Sequence, residues 1–159
     1  QKFSRDAVNG MVGQSFGSVA GIILIVAAGG GFKQTLVDSG IGDVIANSIT
    51  ESAMNPLIAG WLVAVLIRLA TGSATVATVT ASGIMVPLAT GMNPTHLALL
   101  VLAIGAGSVF FSHLNDAGFW LVKEYFGMTV GQTLKTWSLM ETILSVVGLG
   151  CVMLLSLVL

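Results

Sequence analysis

A chain of 159 residues that is 55% hydrophobic and only 8% charged, with a mean hydropathy of +0.96, cannot dress a soluble globular surface; soluble domains carry about 25% charged residues. It reads as an integral membrane segment. The net charge of −1 leaves no electrostatic footprint for nucleic acid, and the single cysteine, Cys151, excludes an intrachain disulfide and reads as packing in an apolar run.

Residues 1–13 are polar and hold Lys2, Arg5 and Asp6. Residues 14–31 predict a short transmembrane helix that ends at Gly29-Gly30-Gly31. In residues 32–52, Phe32, Leu36, Ile41, Val44, Ile45 and Ile49 recur near helical spacing, with Lys33, Gln34, Asp38, Asp43, Asn47 and Glu51 between them. That pattern predicts an amphipathic segment at the membrane interface, split at Asp38-Ser39-Gly40. Asn55-Pro56 opens the next element, since proline suits a helix's first turn. The chain begins at Gln1 with no signal-peptide pattern and starts midway through a membrane organisation. A C-terminal fragment of a longer protein is expected.

Residues 56–89 organise the rest. Two apolar runs flank Arg68 and the small polar patch Thr71-Gly72-Ser73-Ala74-Thr75, and neither run has the ~20 apolar residues that a spanning helix needs. Irregular backbone survives at membrane depth only when buried in protein or lining a water-filled cavity. The expected element is a re-entrant hairpin that turns at residues 71–75 and leaves on the side it entered. The competing reading is one long spanning helix whose Gly, Ala, Ser and Thr form a packing face.

Gly91-Met92-Asn93-Pro94 reads as a turn, with Thr95 as the helix cap. Residues 95–127 predict a broken transmembrane helix, interrupted at Gly105-Ala106-Gly107-Ser108 and again at Ser112-His113-Leu114-Asn115-Asp116-Ala117-Gly118. Trp120, Tyr125 and Phe126 are interface-type aromatics, and Lys123 and Glu124 bring that end to water. Residues 134–159 predict an ordinary C-terminal transmembrane helix; Glu141 near its start and His96 read as interfacial. With the hairpin reading, Lys2, Arg5, Lys123 and Lys135 fall on the cytoplasmic side and Lys33 outside, as the positive-inside rule expects.

Two polar breaks inside apolar segments are how secondary transporters build sites, offering helix N-termini and free amides to anions near the bilayer midplane. Thr71, Ser73 and Thr75 supply hydroxyls, with Gly72 and Ala74 between them, and Ser112 and Asn115 add donors; together they are the expected substrate contacts. Intramembrane Asp116 and His113 are the expected proton-coupling groups. Against those roles stand a helix cap for Asp116 and a structural histidine for His113. Arg68 reads either as a partner for a substrate carboxylate or as a snorkelling or structural ion-pair residue. Two other classes stay open. One is an intramembrane enzyme using His113 and Asp116, weakened by the lack of a nucleophile–base–orienter set. The other is a structural or channel subunit. Neither metal nor cofactor is expected.

Gly29-Gly30-Gly31-Phe32 with Asp38-Ser39-Gly40-Ile41-Gly42, the Thr71–Ala77 stretch Thr-Gly-Ser-Ala-Thr-Val-Ala, and Ser112-His113-Leu114-Asn115-Asp116-Ala117-Gly118-Phe119-Trp120 occur in the order found in a known family. Across nearly its whole length the chain resembles the C-terminal half of the gluconate:proton symporters of bacterial inner membranes. The resemblance implies an all-α polytopic membrane protein. It further implies the second of two inverted repeats of an ion-transporter-type fold, with a re-entrant hairpin and a broken transmembrane helix. In the broader group the hairpin tip carries Ser-Asn-Thr, whereas here it reads Gly72-Ser73-Ala74-Thr75, which favours protons over sodium. The implied activity is uptake of gluconate or a similar sugar acid, coupled to protons. The implied partners are membrane lipid and the N-terminal half of the same transporter, and a homodimer is left open.

Overall fold

The computed structural model describes residues 4–40, 44, 47–49, 51, 52 and 54–159, with the side chains of the first helix described only in part. The described residues are helical, with no strand among them. Helix α1, Arg5–Asp38, runs unbroken through Gly29-Gly30-Gly31, where the sequence reading ended it. Glycines weaken a helix by about 1 kcal/mol each, which this long helix absorbs, and α1 ends just before left-handed Gly40, at φ 72°. The amphipathic segment expected at 32–52 therefore begins inside α1. Its residues 41–43, 45, 46 and 50 lie outside the described residues.

Helix α2, Pro56–Thr71, starts where the Asn55 side chain accepts from the Leu57 amide at 2.8 Å and ends at left-handed Gly72. Ser73 then caps α3, Ala74–Ile84, and a single turn, α4 at Val86–Ala89, follows. Helix α5, Pro94–Ser108, is capped by Asn93 rather than Thr95 and is continuous through its small-residue run. After a connector at residues 109–116 comes α6, Ala117–Tyr125. Helix α7, Val130–Leu155, opens on a reciprocal Thr129–Gln132 capping box and contains one π-helical turn at Leu134–Ser138.

Helix α2 lies at the centre, against α3, α5 and α7, while α1 packs on α3. Small residues set the closest approaches. A Cβ on Gly107 would overlap the Trp61 carbonyl and come within 2.9 Å of the Ala64 methyl, and one on Gly60 would meet Leu100 Cδ1 at 2.7 Å. This is why the 105–108 run does not break α5: its glycine is a packing surface, as in membrane helix pairs.

The ends of the elements sort into two groups. Asn55, Pro56, Pro87, Leu88 and Met92 line one surface cavity, and a neighbouring one joins Asn55, Pro56 and His96 to Met153 and Leu157. The start of α2, the exit from α3, the start of α5 and the end of α7 thus share one end of the molecule. The chain runs away from that end along α2, turns at Gly72-Ser73 and comes back along α3. At 1.5 Å per residue, the 16 residues of α2 and the 11 of α3 reach about 24 and 16 Å, short of a hydrocarbon core of ~30 Å. Among the described residues, α7 alone is long and apolar enough to cross a bilayer.

Candidate functional site

The two polar breaks meet. Asn115 donates from Nδ2 to the Leu69 carbonyl at 2.9 Å, and Gly72 sits so close to the Asn115 backbone that any Cβ there would overlap its carbonyl group. Glycine at 72 is therefore required twice, by its φ of 68° and by this contact. One residue-turn back along α2, Arg68 is buried, 4% exposed, and reaches out of the helix to the connector and to α7. Its Nη2 donates to Asp116 Oδ2 at 2.5 Å and lies 3.5 Å from Glu141 Oε2. Its Nε is buried with no partner.

Ser112 is the hub that fixes the connector, and it is fully buried. Its hydroxyl donates to Asp116 Oδ2 and accepts from Trp137 Nε1 at 3.0 Å. Its carbonyl accepts from the Ser138 hydroxyl, and its amide faces Glu141. Trp137 and Ser138 both belong to the π-helical turn of α7. A π-turn shifts the register of one helix face against the next, and here the two shifted side chains close on Ser112. Asp116 completes the arrangement: its Oδ1 accepts from the Gly118 amide at 2.8 Å and so caps α6. The sequence left Asp116 between a helix cap and a proton-coupling group; the side chain is the cap of α6 and also pairs with Arg68.

The remaining expected residues divide. Ser73 is engaged as the cap of α3, accepting from the Val76 amide at 3.3 Å. Thr71 is exposed and donates back to the Ile67 carbonyl at 2.8 Å, while Thr75 is exposed and its hydroxyl bonds to no described residue. Ala74 lies partly exposed between them. His113 does not join Asp116 through its ring; the ring packs edge-on against Phe111, 5.6 Å between centroids, and its Nδ1 is buried without a partner. The Asp116 carboxylate is paired with Arg68 instead. His96 lies far from this cluster, at the opposite end, against Asn93.

The sequence reads Glu141 as interfacial; helix α7 starts at Val130, not at residue 134, so Glu141 is its twelfth residue of 26, and its carboxylate lies beside Arg68. Two signals in the sequence could have found it. Thr129-Val130-Gly131-Gln132 is a readable capping box. Ser138, Glu141 and Ser145 also follow one another at i, i+3 and i+7, a polar stripe on an otherwise apolar helix. Ser145 lies on that inward stripe too, accepting from Trp61 Nε1 at 3.0 Å.

A buried guanidinium between two carboxylates, set where two helix breaks touch, can hold an anion, exchange an ion pair or carry a proton. Among the described residues no cluster of ligands suits a metal ion. The GntP family permease model matches residues 1–158. The chain is 55% identical to a gluconate permease of Pseudomonas aeruginosa over 157 residues, 99% of this chain and 35% of that protein. Against the Gnt-II system L-idonate transporter of Escherichia coli it is 52% identical over 141 residues, 87% of this chain and 31% of that protein. It is 50% identical to a high-affinity gluconate transporter of Escherichia coli over 154 residues, 95% of this chain and 34% of that protein. The chain spans about a third of the length of these curated relatives. No solved structure matches it.

Proposed function

The chain belongs to the GntP permease family, and we propose that it is the C-terminal part of a multi-pass transporter of the bacterial inner membrane that takes up gluconate or a similar sugar acid by proton symport. Relatives named for gluconate and L-idonate support that substrate class. Membership of a permease family decides against the enzyme reading of His113 and Asp116.

The observation that carries the reading is the contact between the break at Gly72-Ser73 and the connector at 109–116, with Arg68 and Asp116 paired at that contact. In this proposal α2 and α3 form a re-entrant hairpin, and α5 and α6 are the two parts of a broken transmembrane helix, as in the second of two inverted repeats. Thr71, Thr75 and Asn115 offer exposed polar groups to the substrate hydroxyls. Gly72, Ser73, Ala74 and buried Ser112 shape and hold the backbone around them. Inward movement of an anion against the membrane potential needs at least one positive charge, worth about 2.3 kcal/mol per 100 mV. The coupling site is placed in the ionisable cluster around Asp116, with His113 beside it.

Labelled gluconate uptake by the full-length protein in proteoliposomes tests this. Accumulation should require an inward proton gradient and collapse with an uncoupler. Downhill flux indifferent to the gradient would overturn symport in favour of a channel.

A further inference from the structure

The cluster holds two carboxylates and one cation. Ionised throughout, Asp116, Glu141 and Arg68 sum to −1 in a site where the guanidinium is 4% exposed and each carboxylate side chain 14%. Removing an unbalanced charge from water is costly, and carboxylates that share a site favour holding a proton between them. The two are not equivalently held. Asp116 accepts a charged bond at 2.5 Å from Arg68, a hydroxyl bond from Ser112 and an amide bond at 2.8 Å from Gly118. Glu141 has only the outer position on the same Nη2, at 3.5 Å, and the amide of Ser112. Three strong donors make Asp116 the better-solvated anion. Its ionised form also serves as the cap of α6 and the partner of Arg68, so protonating it would disturb both. Glu141 can gain a proton and lose little.

Among the described residues, no other charged group faces Glu141 from the elements around it. Helix α2 brings Arg68, and the connector brings Asp116 and His113, whose ring packs on Phe111. Helix α5 holds only His96, at the far end against Asn93, and α6 holds half-buried Lys123, paired with exposed Glu124. On α7 itself Lys135 is exposed, six residues earlier. The position suits a carrier: Glu141 lies about 16 Å along α7 from Val130 and about 21 Å from Leu155.

We propose that Glu141 takes up and releases the coupling proton, while Asp116 stays ionised as the fixed partner of Arg68. One proton from the outer side brings the cluster from −1 to neutral, and its release to the inner side restores the charge. This rests on the proton-symport reading above. The two fail differently: wild-type protein without gradient-driven gluconate accumulation would sink that reading before any variant is made.

Given wild-type accumulation, Glu141→Gln in the full-length transporter should still exchange labelled for unlabelled gluconate within about twofold of wild type. Its inside-to-outside ratio should fall to equilibrium, and its uptake should lose its pH dependence. Accumulation with the wild-type pH profile would overturn the proposal, and so would a parallel loss of exchange and accumulation. Should Glu141→Gln fail to reach the membrane, Glu141→Asp decides. Coupled uptake with a displaced pH profile supports the proposal, and an unmoved profile overturns it.

Discussion

The two breaks solve the same problem, backbone and polar groups left outside the helical ladder, in opposite ways. The break after α2 is two residues long and satisfies itself: the Gly72 amide bonds the Arg68 carbonyl at 2.9 Å and Ser73 caps α3. It leaves the Thr71 and Thr75 side chains exposed. The connector at 109–116 is eight residues long and cannot satisfy itself. Its Ser112 and Asp116 are held by Trp137 and Ser138 from α7, by Arg68 from α2 and by the start of α6. An unpaired polar group in a low-dielectric site costs far more than a bond is worth when made. The long break is therefore bought with rigidity, and the short one is free to change partners. Fixed geometry sits on one side of the contact and adaptable donors on the other.

Removing Arg68 should break this comparison most completely, because it ties the long break to the short one. Arg68→Gln leaves two largely buried carboxylates without their cation, and taking one partner from a buried pair costs about 3–5 kcal/mol. A large fall in thermal stability in detergent and loss of gluconate uptake are expected. Adding Asp116→Asn to that variant should recover part of the stability, since it removes one of the stranded charges. Gly72 comes next. Gly72→Ala combines about 1–2 kcal/mol for a left-handed non-glycine residue with about 1–3 kcal/mol for overlap with the Asn115 backbone. Gly127→Ala is the control: φ is 60° there too, but nothing lies within 4 Å of the new Cβ. Gly127→Ala should show the first cost alone. Equal effects at the two positions would mean that the breaks do not depend on touching.

The two breaks were legible because each interrupts an apolar run with residues that lipid does not tolerate unsatisfied. Glycine at 72 and the polar run from Ser112 to Asp116 carry that signal locally. What joins them was not legible. Arg68, Asp116 and Glu141 are 48 and 73 residues apart in their pairings, and no local pattern says which of several carboxylates an arginine will meet. The start of α7 was missed for a simpler reason: the apolar run begins at residue 134, and the capping box at Thr129 adds a turn before it, which puts Glu141 one turn further along the helix. Gly29-Gly30-Gly31 and Gly105–Ser108 misled in the same direction. Both are glycine runs without a left-handed residue, and small residues serve packing as readily as termination.

The smallest expected effects sharpen the comparison within the short break, where Ser73 caps α3 and Thr75 is its second residue. Ser73 spends its hydroxyl on the Val76 amide, so Ser73→Ala should cost the loss of a cap, about 0.5–2 kcal/mol. That loss should appear in thermal stability, with gluconate KM following only as far as the start of α3 loosens. Thr75 spends nothing: its hydroxyl bonds to no described residue, so Thr75→Ala should leave stability within about 0.5 kcal/mol of wild type. If that hydroxyl meets the substrate, losing one neutral hydrogen bond of about 0.5–1.5 kcal/mol raises KM by about 2- to 10-fold. Thr75→Ser, which keeps the hydroxyl and drops only the methyl group, should restore it. KM unchanged in Thr75→Ala would remove Thr75 from the substrate contacts. It would leave the free donors of the short break to the backbone amides that open α3.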